Sequence, residues 1–319
     1  MAERVAVVVP VLDEAGTIAS LVTDLEAQDP PPAEIVVVDA GSTDGTVELL
    51  RRAAGTLPSL RIVEAHGATP GRGRNEGVRT ATAPIVVTLD AGSSVEPGFV
   101  AALAQPVVQD SRVAAVGVSE MVADTAFERA AGWFTLSAFK PQERSGPIAG
   151  DHLPAGRNGI AFAREAWEAA GGYPPDLPWG EDKVFLQRLR AAGVQMEVVS
   201  AAVVRWRPRR SLRQVYRQYR NYGRGDALAR VDRQNELVTM AVYLAGAALA
   251  VVFALGSRTA GAFLVAGFAG YLALFVLSAR RALGWDAALA WIPPLRLVVD
   301  VAKMHGFLEG VLLGGRLRR

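Results

Sequence analysis

Three aspartates in the first hundred residues stand where short aliphatic runs give way to glycine and small polar residues. Asp13 follows the run at 4–9, Asp39 the run at 34–38 and Asp90 the run at 85–89. A carboxylate binds cations and accepts hydrogen bonds from sugar hydroxyls and base N–H groups, and in an open α/β sheet ligands collect outside the carboxyl ends of the strands. Taken alone, Asp90-Ala-Gly92-Ser-Ser is ordinary turn chemistry. Three such acids from three separate strands at one sheet edge ask for a common ligand instead. A second acidic pair, Glu181 and Asp182, follows Trp179-Gly180 and opens a segment whose Val184, Phe185, Leu186 and Leu189 form an apolar helical face. Acids in a first turn complement the helix dipole, which is one sufficient account of the pair. With no cysteine in the chain, thiolate chemistry and disulfides are excluded.

The elements that must position these residues alternate. Strands are expected at 4–9, 34–38, 60–63 and 85–89, then at 113–118, and a short apolar run stands at 160–163. Between them, Ile18, Leu21, Val22 and Leu25 recur at helical spacing, the turn 40–46 caps a helix carrying Val47, Leu49 and Leu50, and helices are expected over 99–108 and 126–139. This order implies an α/β, doubly wound, mostly parallel sheet. A dinucleotide fingerprint is excluded: it needs G-x-G-x-x-G directly after the first strand, whereas Gly71-Arg72-Gly73-Arg74-Asn75-Glu76-Gly77 follows a later strand and carries Glu76 at the third position. A polar loop over 150–159 contains Asp151, His152 and Arg157.

Half of the 319 residues are hydrophobic, and the excess lies in 237–315. Residues 237–255 and 260–278 are each long enough to cross a bilayer; 287–313 is interrupted by Pro293-Pro294, Arg296, Asp300, Lys303 and Glu309, so a re-entrant or interfacial hairpin and a third span stay equally open. The net charge of +2 hides ten arginines against two aspartates in 203–233, a local +8. Leu212, Val215, Tyr216, Tyr219 and Tyr222 fall on one helical face there beside a stripe of Arg213, Arg217, Arg220 and Arg224, which reads as an interfacial helix rather than a nucleic-acid surface. The expected organisation is an α/β domain with the acids at one sheet edge over 1–203, a basic interfacial segment over 204–233 and a membrane region of two to three helices over 234–319. The apolar start is too short and too soon acidic for a signal peptide.

In this order the motifs resemble family 2 glycosyltransferases, enzymes of the GT-A fold that use nucleotide-sugar donors. The motifs are Pro10-x-x-Asp13-Glu14, Val38-Asp39-Ala-Gly41-Ser42-Thr43-Asp44-Gly45-Thr46, Gly73-Arg74-Asn75-x-Gly77, Asp90-Ala-Gly92, Gly171-Gly172-Tyr173, Glu181-Asp182 and the stretch 218–225. Arg207-Pro208-Arg209 and Tyr222-Gly223-Arg224 ahead of a hydrophobic tail are similar to membrane-attached bacterial members of the succinoglycan and exopolysaccharide type. The resemblance implies that Pro10, Asp13 and Glu14 surround the nucleoside, that Asp39 meets the base, and that Asp90 faces the ribose and a diphosphate-bound Mg2+ or Mn2+. It puts Arg72, Arg74, Asn75, Gln218 and Arg220 on the donor side, and Trp179, Asp151, His152 and Arg157 on the acceptor side. Asp182 becomes the general base, with Glu181 beside it, in an inverting transfer to a lipid-linked or glycan acceptor at the inner membrane, with the catalytic domain cytoplasmic.

Three residues depart from the family's pattern. Gly92 stands where a second metal carboxylate is usual, Ala40 where an acid usually follows Asp39, and Asn221-Tyr222 where the family has Arg-Trp. The metal site is therefore expected to be weak. Two other readings stay open: a catalytically silent scaffold that keeps the fold, and a nucleotidyltransferase, which would release diphosphate rather than a nucleoside diphosphate.

Overall fold

A computed structural model describes residues 5–137, 145–148, 159–230, 233–254 and 258–316. The chain divides into two compact units. The first comprises 1–122 and 136–206, the second 123–135 and 207–319.

The first unit is built on strands β1 (Val5–Val11), β2 (Glu34–Asp39), β3 (Leu60–Glu64) and β4 (Ile85–Thr88). These pair in parallel in the order β3-β2-β1-β4. Their residues are mostly β-branched and the two central strands are covered on both faces, as a parallel sheet with helices on each side requires. Helices α1 (Ile18–Glu26), α2 (Thr46–Ala54) and α3 (Pro70–Thr80) make the crossovers. Because β2 and β4 lie on opposite sides of β1, the order reverses at β1 and opens a crevice at the carboxyl ends of β1 and β4.

Beyond β4 the sheet is mixed, which corrects the expectation of a mostly parallel one. After β5 (Ser94–Val95), α4 (Phe99–Gln109), β6 (Val113–Met121), α5 (Ala126–Ser137), β7 (Gly146–Pro147) and β8 (Ile160–Ala163), the chain runs through α6 (Arg164–Ala169), α7 (Glu181–Ala191) and β9 (Gln195–Trp206). β8 is antiparallel to both β4 and β6, while β9 is parallel to β6 and antiparallel to β5 and β7. The long β9 is absent from the sequence reading. Its alternation changes phase where Val116 pairs Val198 but Val118 pairs Val203, so a period of two cannot be followed along it.

Helix α3 lies unusually close to the sheet. A Cβ at Gly77 would run into Val8 Cγ1 and come within 3.2 Å of Val38 Cγ2, so only glycine lets the helix backbone settle there. The glycines of 71–77 therefore sit inside a helix capped by Thr69, whose hydroxyl accepts from Arg72 N at 3.1 Å.

In the second unit, α8 (Leu212–Ala229), α9 (Arg233–Ala254), α10 (Arg258–Leu283) and α11 (Ile292–Arg316) follow one another, with a 3-10 turn at Ala287–Trp291. The start of α5 is fixed by Thr125 and Glu128: Glu128 N donates to Thr125 Oγ1 at 3.1 Å and Thr125 N to Glu128 Oε2 at 2.9 Å, a reciprocal cap. Val215 and Tyr219 of α8 are buried with Ala130, Trp133 and Phe134 of α5 and with Ile292, Leu295 and Val299 of α11. Val215 and Tyr219 of the face read as interfacial are therefore core, with Tyr216 and Tyr222 partly buried against it. α11 is one helix, not a hairpin, because Pro293 and Pro294 occupy its first turn, where a missing N–H costs nothing. Its charges find partners: Arg296 meets Asp300 at 2.5 Å, and Glu309 takes Arg220. One helix among the described residues, Gly261–Leu283, is long and apolar enough to cross a membrane.

Candidate active site

The three acids stand at the carboxyl ends of β1, β2 and β4, on neighbouring strands, as the sequence requires. Their side chains do different work. Asp13 holds a positive φ of 55° and is locked there, its N–H on Ser42 Oγ at 2.9 Å and its Oδ1 accepting Thr43 N at 2.8 Å. Glu14 N donates to Thr46 Oγ1 and Ala15 N to Asp44 Oδ2, at 2.8 and 2.9 Å, so the loops after β1 and β2 are stitched to each other. Asp39 is buried, and its carboxylate accepts Gly41 N at 2.9 Å, Ser42 N at 3.0 Å and Ser42 Oγ at 2.5 Å. It orders the loop that follows β2. Pro10 closes β1 against Gly73, where a Cβ would lie 3.2 Å from Pro10 Cβ.

Asp90 alone of the three presents a carboxylate to an arginine. Arg74 Nη2 donates to Asp90 Oδ1 at 2.6 Å, and Arg74 Nη1 donates to Glu181 Oε1 at 2.5 Å. The arginine is 7% exposed, Glu181 9% and Asp90 44%, so the cluster opens to solvent on the Asp90 side. The guanidinium also lies 5.4 Å from the Tyr173 ring centre, and Tyr173 stacks on Phe185 of α7. Burial opposes the charge on Arg74, but the facing Asp90 and Glu181 carboxylates outweigh it and hold the guanidinium firmly protonated. Burial pushes the Glu181 carboxyl up to about 7 against the pull of Arg74, and Asp182 adds to the push. Losing one partner from a buried charge pair of this kind costs about 3–5 kcal/mol.

Asp182 is the next residue of α7. Its Oδ1 accepts the Lys183 N–H at 2.8 Å, and the side chain is half-buried. Gly180, at φ 78°, turns the chain into the helix; Trp179 before it is half-buried. Asn75, expected on the donor side, has both amide atoms engaged within the protein. Nδ2 donates to Tyr173 O at 2.8 Å while Oδ1 accepts Tyr173 N and Trp167 Nε1 at 2.9 and 3.0 Å. Gly172, at φ 70°, allows this clasp, since a Cβ there would lie 2.8 Å from Asn75 Oδ1. Arg72 is exposed. Gln218 and Arg220 belong to the second unit, where Gln218 Nε2 donates to Tyr222 Oη at 2.8 Å and Arg220 pairs with Glu309. Asp151, His152 and Arg157 lie outside the described residues.

The sequence reading missed the mount of the loop after Asp90. Asp24 of α1 accepts Ser94 Oγ at 2.7 Å and Val95 N at 3.0 Å, and Gln28 reaches Glu96 O and Val100 N at 2.8 and 2.9 Å. Nothing in the spacing of residues some seventy positions apart signals this contact. No group of three or more His, Cys, Asp or Glu side chains able to hold a metal ion occurs among the described residues.

A reversed strand order, a carboxylate at its crevice and an acid pair at a nearby helix start are what a nucleotide-sugar transferase needs, and the comparison with known families is decisive. The model of glycosyl transferase family group 2 matches residues 85–295, and that of glycosyl transferase family 2 matches residues 6–162. The chain belongs to the family 2 glycosyltransferases. Among curated relatives, the succinoglycan biosynthesis protein ExoA of Rhizobium meliloti (strain 1021) is 26% identical over 96% of this chain and 94% of its own length. ExoU of the same organism, also a succinoglycan biosynthesis protein, is 34% identical over 30% of this chain and 28% of its own. Among solved structures, the mannosyltransferase PcManGT from Pyrobaculum calidifontis, in complex with GDP-Man and Mn2+, has a TM-score of 0.70 at 23% identity, covering 97% of this chain and 87% of its own. GalNAc-T7 with UDP, GalNAc and Mn2+ has a TM-score of 0.52 at 17% identity over 71% and 48%. These structures establish the GT-A-like core. The protein is a nucleotide-sugar-dependent glycosyltransferase distantly related to bacterial exopolysaccharide enzymes.

Proposed function

We propose that this glycosyltransferase inverts the anomeric centre, moving a sugar from a nucleoside diphosphate to a membrane-proximal acceptor, either lipid-linked or a polysaccharide precursor. The observation that carries the reading is the placement of Asp90 and the Glu181–Asp182 pair on two sides of one buried arginine. Inversion needs a base on the acceptor side and charge stabilisation of the departing diphosphate on the donor side. Asp182 takes the proton of the acceptor hydroxyl as its oxygen bonds to the anomeric carbon and the bond to the diphosphate breaks. Pro10, Asp13 and Glu14 line the nucleoside, with Asp39 shaping the base-side loop. Both relatives are named as succinoglycan biosynthesis proteins, which supports a glycan or its lipid-linked precursor as acceptor.

The residues fit a divalent cation only in partnership with the donor. Asp90 offers one half-exposed carboxylate, one oxygen of which already serves Arg74, and Gly92 offers none. Asp90 would hold Mg2+ or Mn2+ together with diphosphate oxygens, and such an ion neutralises charge on the leaving group. Helix α10 would cross the inner membrane and α9 a second time, leaving the catalytic unit in the cytoplasm.

Incubation of the full chain in detergent with a panel of nucleotide sugars tests the reading. Release of a nucleoside diphosphate from one of them is the expected result. No turnover of any would favour a silent scaffold, and release of diphosphate a nucleotidyltransferase.

A further inference from the structure

Arg74 looks at first like a donor ligand, a cation beside the crevice, but its geometry leaves it little freedom for that task. Each of its two terminal nitrogens is spent on a different carboxylate, at 2.6 and 2.5 Å, and the side chain is almost fully buried. Turning the guanidinium so that both nitrogens faced a diphosphate would loosen these two short bonds and leave the buried Glu181 without its cation. Its backbone is equally fixed, because Gly73 and Gly77 seat α3 on β1 and β2, and the neighbouring Asn75 is clasped to Tyr173. The two acids belong to separate elements with no backbone pairing between them: Asp90 follows β4, and Glu181 begins α7.

We infer that Arg74 is a positioning residue, a strut that ties the donor-side carboxylate Asp90 to the acid pair at the start of α7, so that donor and acceptor sides keep one fixed spacing. The inference rests on the proposed function for its catalytic consequence. The tie itself stands on the contacts alone. Arginine is required because two divergent N–H groups must reach two acids; the single ammonium of lysine is a point charge on a shorter reach. The groups facing Glu181 are Arg74 from α3, Asp182 from α7 and, through Arg74, Asp90 beyond β4, with the Tyr173 ring beneath. Removing the arginine takes away the cation that Asp90 and Glu181 share.

The test is Arg74→Lys in the full chain, using whichever nucleotide sugar the unmutated protein turns over fastest. The strut predicts kcat lower by about thirtyfold or more with donor KM within about threefold, and an acid limb of the kcat profile displaced to higher pH. Combined with Glu181→Gln, the loss should be smaller than the product of the single losses, because the two residues act as a unit. A raised KM with unchanged kcat would make Arg74 a donor ligand, and multiplicative losses would remove the coupling; either overturns the inference. Amide exchange without any donor separates it from the catalytic reading. Arg74→Lys should loosen residues 90–93 and 181–184 together while β1 and β2 stay protected, and protection unchanged at either end would contradict the strut even in an inactive protein.

Discussion

Gly92 leaves Asp90 as the lone acid where the family usually has two, and the space for the second is there. A Cβ built at Gly92 meets nothing within 4 Å, and its backbone lies outside the left-handed region. Gly92→Asp should therefore fold normally and lower the Mn2+ concentration needed for half-maximal activity by about tenfold, since divalent-ion affinity follows the number of charged ligands. A Mn2+ titration of both proteins checks this; unchanged activation would remove Asp90 from the metal site. Glu181 supplies the pH dependence. With its carboxyl near 7 in the fold and 4.5 as the ordinary value, the folded protein holds a proton between those pH values that the unfolded chain has released. This group thus favours folding at acid pH, and that contribution is lost as pH rises toward 7. Activity runs the other way: as pH falls through about 7, Glu181 takes a proton, its bond to Arg74 weakens and turnover falls. Glu181→Gln should have a lower, flatter profile without that limb, and a profile identical to the unmutated one would assign the limb elsewhere.

Helix α3 is the element on which the site depends, because it carries Arg74 and can approach β1 and β2 only through glycine. Gly77→Ala would press a methyl onto Val8 and Val38, an overpacking that costs about 1–3 kcal/mol and moves Arg74 off its two acids. A lower midpoint in thermal unfolding together with reduced turnover is expected; an unchanged midpoint would mean that the helix is free to shift. The strands flanking the site were legible in the sequence because each is a mostly aliphatic run with an acid at or just beyond its end, as at Val36-Val37-Val38-Asp39. β9 was not, because a register shift against β6 breaks its alternation. α8 carried a true apolar face, yet periodicity cannot tell a core from a bilayer, and the face proved to pack on Trp133, Phe134 and Leu295. α11 was obscured by its charges, which composition counts as interruptions and the fold pairs off. At the site, the motif positions were visible, whereas the role of Asn75 as a clasp and of Asp24 as a mount depends on contacts between distant residues, which spacing does not encode.

For the whole molecule, the arginines of 203–233 and the pair Arg280 and Arg281 in the last turn of α10 would set the orientation of the proposed spans. Basic residues flanking short spans are retained on the cytoplasmic side. Residues 1–230 should resist protease added to spheroplasts and be cleaved only after lysis; cleavage before lysis would reverse the topology. The claim that unites the two sides of the site is that donor binding and sugar transfer belong to different residues, and Asp182→Asn separates them. As a helix-start acid alone, Asp182 contributes about 0.3–1 kcal/mol, and asparagine at that position would change little. As the general base, its loss should lower transfer at least about a hundredfold, because asparagine cannot take the acceptor's proton. The most direct measurement is therefore transfer and nucleotide binding by the full-length Asp182→Asn protein. Unmutated nucleotide affinity with transfer nearly abolished is the expected result, and transfer at the unmutated rate would rule out Asp182 as the base.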